Sequence, residues 1–180
     1  DASEVLTYQR EIVAGADKVG DKLATRKEVV RLVELYKVLQ AEKAEILVKE
    51  RDKIEEMLRQ MAIGYHVEAQ KTMEKKAMLL AQEVYDHYLA LFPEGTGRYQ
   101  MLMNHAILLY QLEQYDKAVA EYERVIAFDP KGKYHREAGY TALLCYYKLI
   151  DTNKATAVKM DDEDNAEAQE LPEIYANMVR

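Results

Sequence analysis

Several residue types are scarce in this sequence of 180 residues, and each scarcity excludes a class of protein. The chain has one cysteine, three prolines, seven glycines and no tryptophan. The single Cys145 forms no disulfide within the chain, which excludes a small scaffold held together by disulfides. Because Cys145 lies in an apolar run, we expect a buried structural thiol. Few glycines and prolines, with 32% charged residues, are typical of a helical protein.

Long apolar runs and clusters of basic residues are also missing. No window approaches the roughly 18 consecutive apolar residues of a membrane-spanning helix, so we expect no direct membrane insertion. The formal net charge is −7, and lysines and arginines alternate with acids, as in residues 49–53. Binding to a nucleic-acid backbone requires clustered basic residues. We therefore expect no nucleic-acid partner.

Side chains that support catalysis or bind metals form no recognisable motif. The four histidines are His66, His87, His105 and His135. They lack the two-histidine spacing that holds zinc on one helix face. Glu83 and His87 lie one helical turn apart, but an exposed pair at this spacing is common. The acidic residues 161–164 lack the glycine and closing glutamate of a calcium loop. We predict no enzymatic activity, no cofactor and no metal site.

The strongest pattern in the sequence is a self-similarity at an offset of 37 residues, as from Ala81 to Ala118. Three pairs of identical residues coincide at this offset: Ala81 and Ala118, Tyr85 and Tyr122, and Pro93 and Pro130. Tyr110 and Tyr147 form a fourth pair. A period in this range predicts stacked helical repeats, in which each helix pair buries an apolar face against the next. Because proline lacks the backbone N–H and disfavours a helical residue before it, each proline is expected to follow a helix end.

Each unit of this pattern resembles a tetratricopeptide repeat, which is a pair of antiparallel helices with small residues at their contact and proline at the exit. The middle unit, residues 99–132, matches best, through Leu102, Ala106, Tyr115, Ala118, Tyr122 and Pro130. It departs from the family where Leu102 replaces a bulky aromatic residue and His105-Ala106 replaces a Leu-Gly pair. The resemblance implies an all-α fold of helix-hairpin repeats, an α-solenoid, over residues 62–158. Its units are residues 62–95, 99–132 and, in part, 136–158.

Residues 1–61 are predicted to form an N-terminal helical segment. A short amphipathic helix from Ser3 to about Val19 is interrupted at Gly20. Thr25 and Glu28 fit a capping box, and residues 28–61 contain neither glycine nor proline. We therefore predict one long capped helix over residues 26–61, with Gly64 marking a bend before the repeats. Its apolar stripe is expected either to pack within the chain or to pair with a second copy, which would give a homo-oligomer.

Residues 159–180 are predicted to be an acidic loop followed by the start of a further helix at residue 171, with Pro172 in its first turn. Because nothing in this stretch completes a repeat, we expect the chain to be a fragment of a longer array.

In tetratricopeptide arrays the first helices of successive units line a concave groove that binds a protein or peptide. The resemblance implies a groove lined by Met103, Asn104, Ile107, Tyr110, Gln111, Tyr140, Thr141, Leu144, Tyr147 and Lys148. Chaperone-type members hold a peptide carboxylate with Lys, Arg and Asn, of which only Asn104 is retained here, while Glu137 has the wrong charge. The alternative is that these residues pack within the chain itself.

Two functions follow from these expectations. The first is a non-enzymatic scaffold for protein–protein interaction, within a larger assembly. The second is a self-associating structural module of the coiled-coil type. Tyrosine-rich units, 37-residue spacing and Phe-Pro exits resemble bacterial tetratricopeptide proteins of the cell envelope, including accessory proteins of outer-membrane and gliding-motility machinery. This resemblance implies a periplasmic or outer-membrane location.

Overall fold

A computed structural model describes the backbone of residues 2–42 and 45–161 and the side chains of residues 4–42 and 45–152. Across these residues the chain has seven helices and no strand, which confirms the all-α prediction. The helices are α1 (Ala2–Val19), α2 (Lys22–Ala41), α3 (Ile46–Thr72), α4 (Lys75–Leu91), α5 (Arg98–Gln111), α6 (Tyr115–Phe128) and α7 (His135–Asp161). No helix in the described ranges is long and apolar enough to cross a membrane. The chain divides into two compact units, Asp1–Met101 and Leu102–Arg180.

The single long helix predicted over residues 26–61 is wrong, because α2 ends at Ala41 and α3 begins at Ile46. The apolar stripe thins between residues 40 and 53, so little burial is available there to stabilise a continuous helix. The predicted capping box is also wrong. The side chain of Asp21 accepts the N–H of Ala24 at 2.9 Å and begins α2 earlier. Thr25 then lies inside the helix, where its hydroxyl donates to the carbonyl of Asp21 at 2.7 Å.

The apolar stripe of the N-terminal segment is buried within the first unit. The side chains of α2 and α3 that are less than 9% exposed include Leu32, Leu39, Ile54, Leu58 and Met61. The helix α3 continues through Gly64 to Thr72, so the glycine does not interrupt it. The turn to α4 follows at Met73, whose positive φ of 56° ends α3 and whose N–H donates to the carbonyl of Ala69. The hairpin of α3 and α4 thus begins at Ile46, well before residue 62, where the first repeat was predicted to start.

The exit of α4 is held by a buried polar contact that requires two glycines. The hydroxyl of Tyr88, a fully buried residue, donates to Oε1 of Glu55 at 3.0 Å. A Cβ at Gly95 would lie 2.5 Å from this same carboxylate oxygen. A Cβ at Gly97 would lie 2.7 Å from Cδ of Arg59 and 3.0 Å from the Tyr88 hydroxyl. The loop after Pro93 therefore approaches α3 and α4 too closely for a side chain at either position.

In the second unit, α6 packs against α7. Ala118 and Tyr122 of α6 are buried, as are Ala138 and Cys145 of α7. Burial raises the pKa of the Cys145 thiol to about 11, so it behaves as the structural thiol expected from the sequence. The structure describes α7 as helix up to Asp161; the acidic stretch beyond it and the predicted helix at residue 171 lie outside the described residues.

His105 of α5 is buried in the second unit. Its Nδ1 lies 3.8 Å from Oε2 of Glu121 on α6, a carboxylate that also accepts from Arg124. Burial acts to raise the pKa of Glu121, but His105 and Arg124 outweigh it and hold the pKa below its usual value. The cluster keeps a buried carboxylate paired inside the second unit.

We expect Gly95→Ala to destabilise the protein by about 1–3 kcal/mol, because the new methyl group displaces the buried Glu55 carboxylate from the Tyr88 hydroxyl. Gly15→Ala is the matched control, since a Cβ at this helical glycine meets no atom within 4 Å. It is expected to be stabilising by up to about 1 kcal/mol. Urea unfolding of both variants measures the difference, and equal stabilities would contradict the role assigned to the loop.

Candidate partner-binding surface

The helix α7 exposes a stripe of large apolar side chains. Tyr140 is 63% exposed, Leu143 49%, Leu144 36% and Tyr147 60%. These four residues, the α7 stripe, occupy positions i, i+3, i+4 and i+7, which lie on one face of a helix. The opposite face contains the buried Ala138 and Cys145, on the helix that packs against α6. An exposed apolar cluster on a helix of this kind marks a surface that another protein segment can cover.

The charges around the α7 stripe are balanced. Arg136 and Glu137 flank its N-terminal end, and Lys148 and Asp151 flank its C-terminal end; all four side chains are exposed. Two positive and two negative groups give this surface no net charge, although the whole chain has a formal charge of −7. Recognition of the stripe therefore depends on apolar contact more than on electrostatic attraction.

The residues predicted from α5 are much less accessible than those from α7. Met103 is only 2% exposed, so its expected place on an open groove is corrected to the core. Asn104, Ile107 and Tyr110 are half-buried, and Gln111 is exposed. One of these α5 residues contacts a ring at the start of α6. The ring of Tyr110 packs edge-on against that of Tyr115, with 5.6 Å between the ring centres.

One of the predicted residues, Thr141, contacts a buried tyrosine and is itself half-buried. Burial raises the pKa of the Tyr122 hydroxyl above its usual value, and a hydrogen bond with Thr141 opposes that rise. Tyr140, Leu144, Tyr147 and Lys148, by contrast, are exposed.

A second exposed apolar surface lies on α1. The sequence predicted this helix to be amphipathic but did not distinguish its exposed apolar residues from its buried ones. The exposed side chains are Val5, Tyr8, Ile12 and Val19, which we call the α1 stripe. Leu6 and Val13 point into the first unit and are fully buried. The sequence contains a signal for this exposed face. Val5, Ile12 and Val19 recur every seven residues, and Leu6 and Val13 form a second series with the same spacing beside them.

A cavity of about 460 Å³ lies between α1 and α3 in the first unit. Its lining includes Met57, Tyr65 and Glu68. Three polar groups of the lining are engaged in contacts: the Tyr65 hydroxyl donates to Asp17 at 2.5 Å, and Glu68 pairs with Lys22, which lies outside the lining.

In the pair Glu83 and His87, the glutamate also binds an arginine of another helix. Glu83 accepts from Nε of Arg26 at 2.5 Å, so its carboxylate is already engaged. Burial lowers the pKa of His87; Glu83 and Asp86 act to raise it, and Lys37 to lower it further. Among the described residues, no three His, Cys, Asp or Glu side chains are grouped to hold a metal ion.

Comparisons of this chain with protein-family models, curated proteins and solved structures found no match.

Tyr110 and Tyr147 occupy equivalent places in the 37-residue pattern but differ in burial. We expect Tyr110→Ala to cost about 2 kcal/mol, because it removes a half-buried ring and its contact with Tyr115. Tyr147→Ala should change stability by no more than about 0.5 kcal/mol, since most of its ring is in solvent. Thermal unfolding followed by circular dichroism compares the two, and a large loss for Tyr147→Ala would mean that its ring belongs to the core.

Lowering the pH from about 7.5 to 5.5 should destabilise the protein partly through His87. Its pKa in the folded state lies below the unfolded value of about 6.5, so the unfolded chain takes up the proton more readily. This contribution to stability is present above pH 6.5 and is lost as the pH falls through that value. His87→Gln should reduce the drop in melting temperature, whereas His135→Gln, which alters an exposed histidine, should not. An equal drop for both variants would argue against this origin.

Proposed function

We propose that this chain is a non-enzymatic scaffold for protein–protein interaction, built from tetratricopeptide-like helix hairpins and acting within a larger assembly. The observation that carries the proposal is the α7 stripe, four large apolar side chains exposed at helical spacing. The repeat pattern supports it further. Ala81 and Tyr85 of α4 are buried to the same degree as Ala118 and Tyr122 of α6, as equivalent positions of a repeat should be.

The chemistry of the α7 stripe suits a protein partner. Covering apolar surface contributes roughly 25 cal/mol per Å², and exposed tyrosines are frequent anchors of protein interfaces. Residues at i, i+3, i+4 and i+7 form the contact face by which one helix recognises another apolar helix or groove. The balanced charges nearby favour an apolar partner surface over a strongly charged one.

The α1 stripe supports the assembly part of the proposal. A helix with apolar residues on two faces is normally covered on both, and α1 buries one face in the first unit while exposing the other. Among the described residues, the first unit thus offers the α1 stripe as a contact surface and the second unit offers the α7 stripe. The tyrosine-rich units and the Phe92-Pro93 exit resemble bacterial envelope proteins of the family. On that basis we propose an envelope assembly, such as a gliding-motility machine, at the periplasmic side or the outer membrane.

Self-association is the second candidate. The sequence suggested it because one long helix predicted over residues 26–61 could have paired with a second copy through its apolar stripe. That stretch forms two helices whose apolar residues, including Leu32 and Leu58, are buried in the first unit. The α1 stripe and the α7 stripe are exposed apolar surfaces that a second copy could use instead. Light scattering at tens of micromolar protein distinguishes the candidates, since a monomeric mass would rule out self-association at that concentration.

We expect the double variant Tyr140→Ala/Tyr147→Ala to lose partner capture by about tenfold or more, because interface tyrosines each contribute on the order of 1–2 kcal/mol or more. The matched control is Val48→Ala/Leu79→Ala, which truncates two exposed apolar residues of the first unit. Affinity purification from the source organism, quantified by mass spectrometry, compares both variants with the parent chain. Equal recovery of every co-purifying protein by the two variants would refute a role for the α7 stripe.

A further inference from the structure

The exposed face of α1 contains a glycine that the first unit does not require. Gly15 follows Tyr8 and Ile12 on the same face of the helix and precedes Val19. It is exposed, and a Cβ at this position would meet no atom of a packing neighbour within 4 Å. Glycine destabilises a helix interior relative to alanine, so its presence here needs a reason outside the packing of the first unit. The close approach of another helix is such a reason, because glycine presents no side chain to it.

The spacing on this face is that of a coiled-coil seam. Val5, Ile12 and Val19 recur every seven residues, and Tyr8 and Gly15 each follow three residues after one of them. Helices with apolar residues in this pattern interlock along a shared seam. The four residues of the α1 stripe are between 51% and 83% exposed, so the seam faces solvent in the first unit.

Two charged residues of opposite sign flank the seam on one side. Glu11 and Lys18 directly precede Ile12 and Val19, and both are exposed. They are seven residues apart, too far to pair along one helix. Within the chain, Oε1 of Glu11 lies 3.8 Å from the guanidinium of Arg10, which is a long and partly exposed contact. In an antiparallel pair of identical helices, Glu11 of each copy can lie beside Lys18 of the other, and the two-fold symmetry gives this contact twice.

One antiparallel register satisfies both the apolar seam and the charges. With Ile12 of each copy against Gly15 of the other, Tyr8 of each lies against Val19 of the other, because both pairs have the same midpoint on α1. Gly15 leaves room for the branched Ile12 side chain, so the two helices can approach closely. The flanking position one residue before Ile12 then lies beside Lys18 of the second copy.

Other arrangements of two α1 helices lose one of these features. A parallel pair in register sets Gly15 against Gly15 of the second copy, which leaves a gap in the seam, and it places no lysine beside Glu11. The next antiparallel register, shifted by seven residues, pairs Lys18 with Glu4 but brings the two Glu11 side chains together. Like charges side by side destabilise a helix pair.

We propose that the α1 stripe binds a second copy of this chain, through α1 helices that pair antiparallel with Ile12 of each against Gly15 of the other. The seam from Tyr8 to Val19 spans about 17 Å of helix, so we expect a modest dimer that dissociates on dilution. The inference names a partner for the assembly part of the proposed function, on which it rests. It uses no residue of the α7 stripe.

Molecular mass as a function of concentration tests for the dimer. Sedimentation equilibrium of the full chain from about 5 to 300 µM should show monomers in exchange with dimers. Ile12→Asp should weaken dimerisation at least tenfold, because it buries a charge in the seam. The matched control is Leu79→Asp, the same kind of change at a residue of α4 that is 45% exposed, and it should leave the dimer unchanged. A parent chain that stays monomeric throughout, or equal dimerisation of the two variants, overturns the proposal.

Charge reversal tests the register and the direction of the pair. Glu11→Lys and Lys18→Glu should each weaken the dimer several-fold, because each places like charges side by side twice per dimer. The double variant Glu11→Lys/Lys18→Glu restores opposite charges and should dimerise as the parent chain does. An effect within one chain would not give this rescue, since the two residues do not reach each other along α1. Glu4→Lys, which changes an exposed acid outside the overlap, is the control and should have no effect.

Each result of the charge reversal decides the proposal. Rescue by the double variant supports the register. Loss of the dimer in Glu4→Lys would assign the register shifted by seven residues, and a dimer insensitive to all these changes would assign a parallel pair or another surface; either result overturns the proposal. None of these measurements involves a partner of the α7 stripe, so their failure would leave the scaffold proposal to be judged by capture alone.

Discussion

The burial of tyrosine rings between helices is the constraint on which the rest of this structure depends. Tyr85, Tyr88 and Tyr122 are among the largest fully buried side chains, and each brings a polar hydroxyl into an apolar interior. A buried hydroxyl without a partner costs stability, so neighbouring groups are arranged around these rings. Glu55 accepts from Tyr88 at 3.0 Å, and two glycines let the loop after α4 fit beside this contact.

The second unit also buries a tyrosine, Tyr122, and its helix α7 has a buried side and an exposed apolar side. The buried residues of α7, which packs against α6, include the small Ala138, Ala142 and Cys145 as well as Ile150. Four other large apolar residues of α7 are exposed and form the α7 stripe, the surface on which the proposed function depends.

Much of the helical architecture could be predicted from the sequence, because spacing and composition act locally. The helical class, the helix ends before Pro93 and Pro130, and the buried Cys145 were all predicted. The long helix over residues 26–61 was not, since helix-forming residues permit continuity but do not require it. Asp21 was missed as a cap because the Thr25 and Glu28 pattern competes for the same helix start, and only the three-dimensional contacts distinguish the two.

The candidate surface also has some features that the sequence predicts and others that depend on the packing of the helices. The equivalence of Tyr110 and Tyr147 can be read from the sequence, because an offset of 37 residues is a property of the chain alone. The packing of the helices is what leaves Tyr110 half-buried against Tyr115 and Tyr147 60% exposed. Burial depends on which element packs over a residue, and two identical residues in equivalent positions differ whenever their neighbours differ.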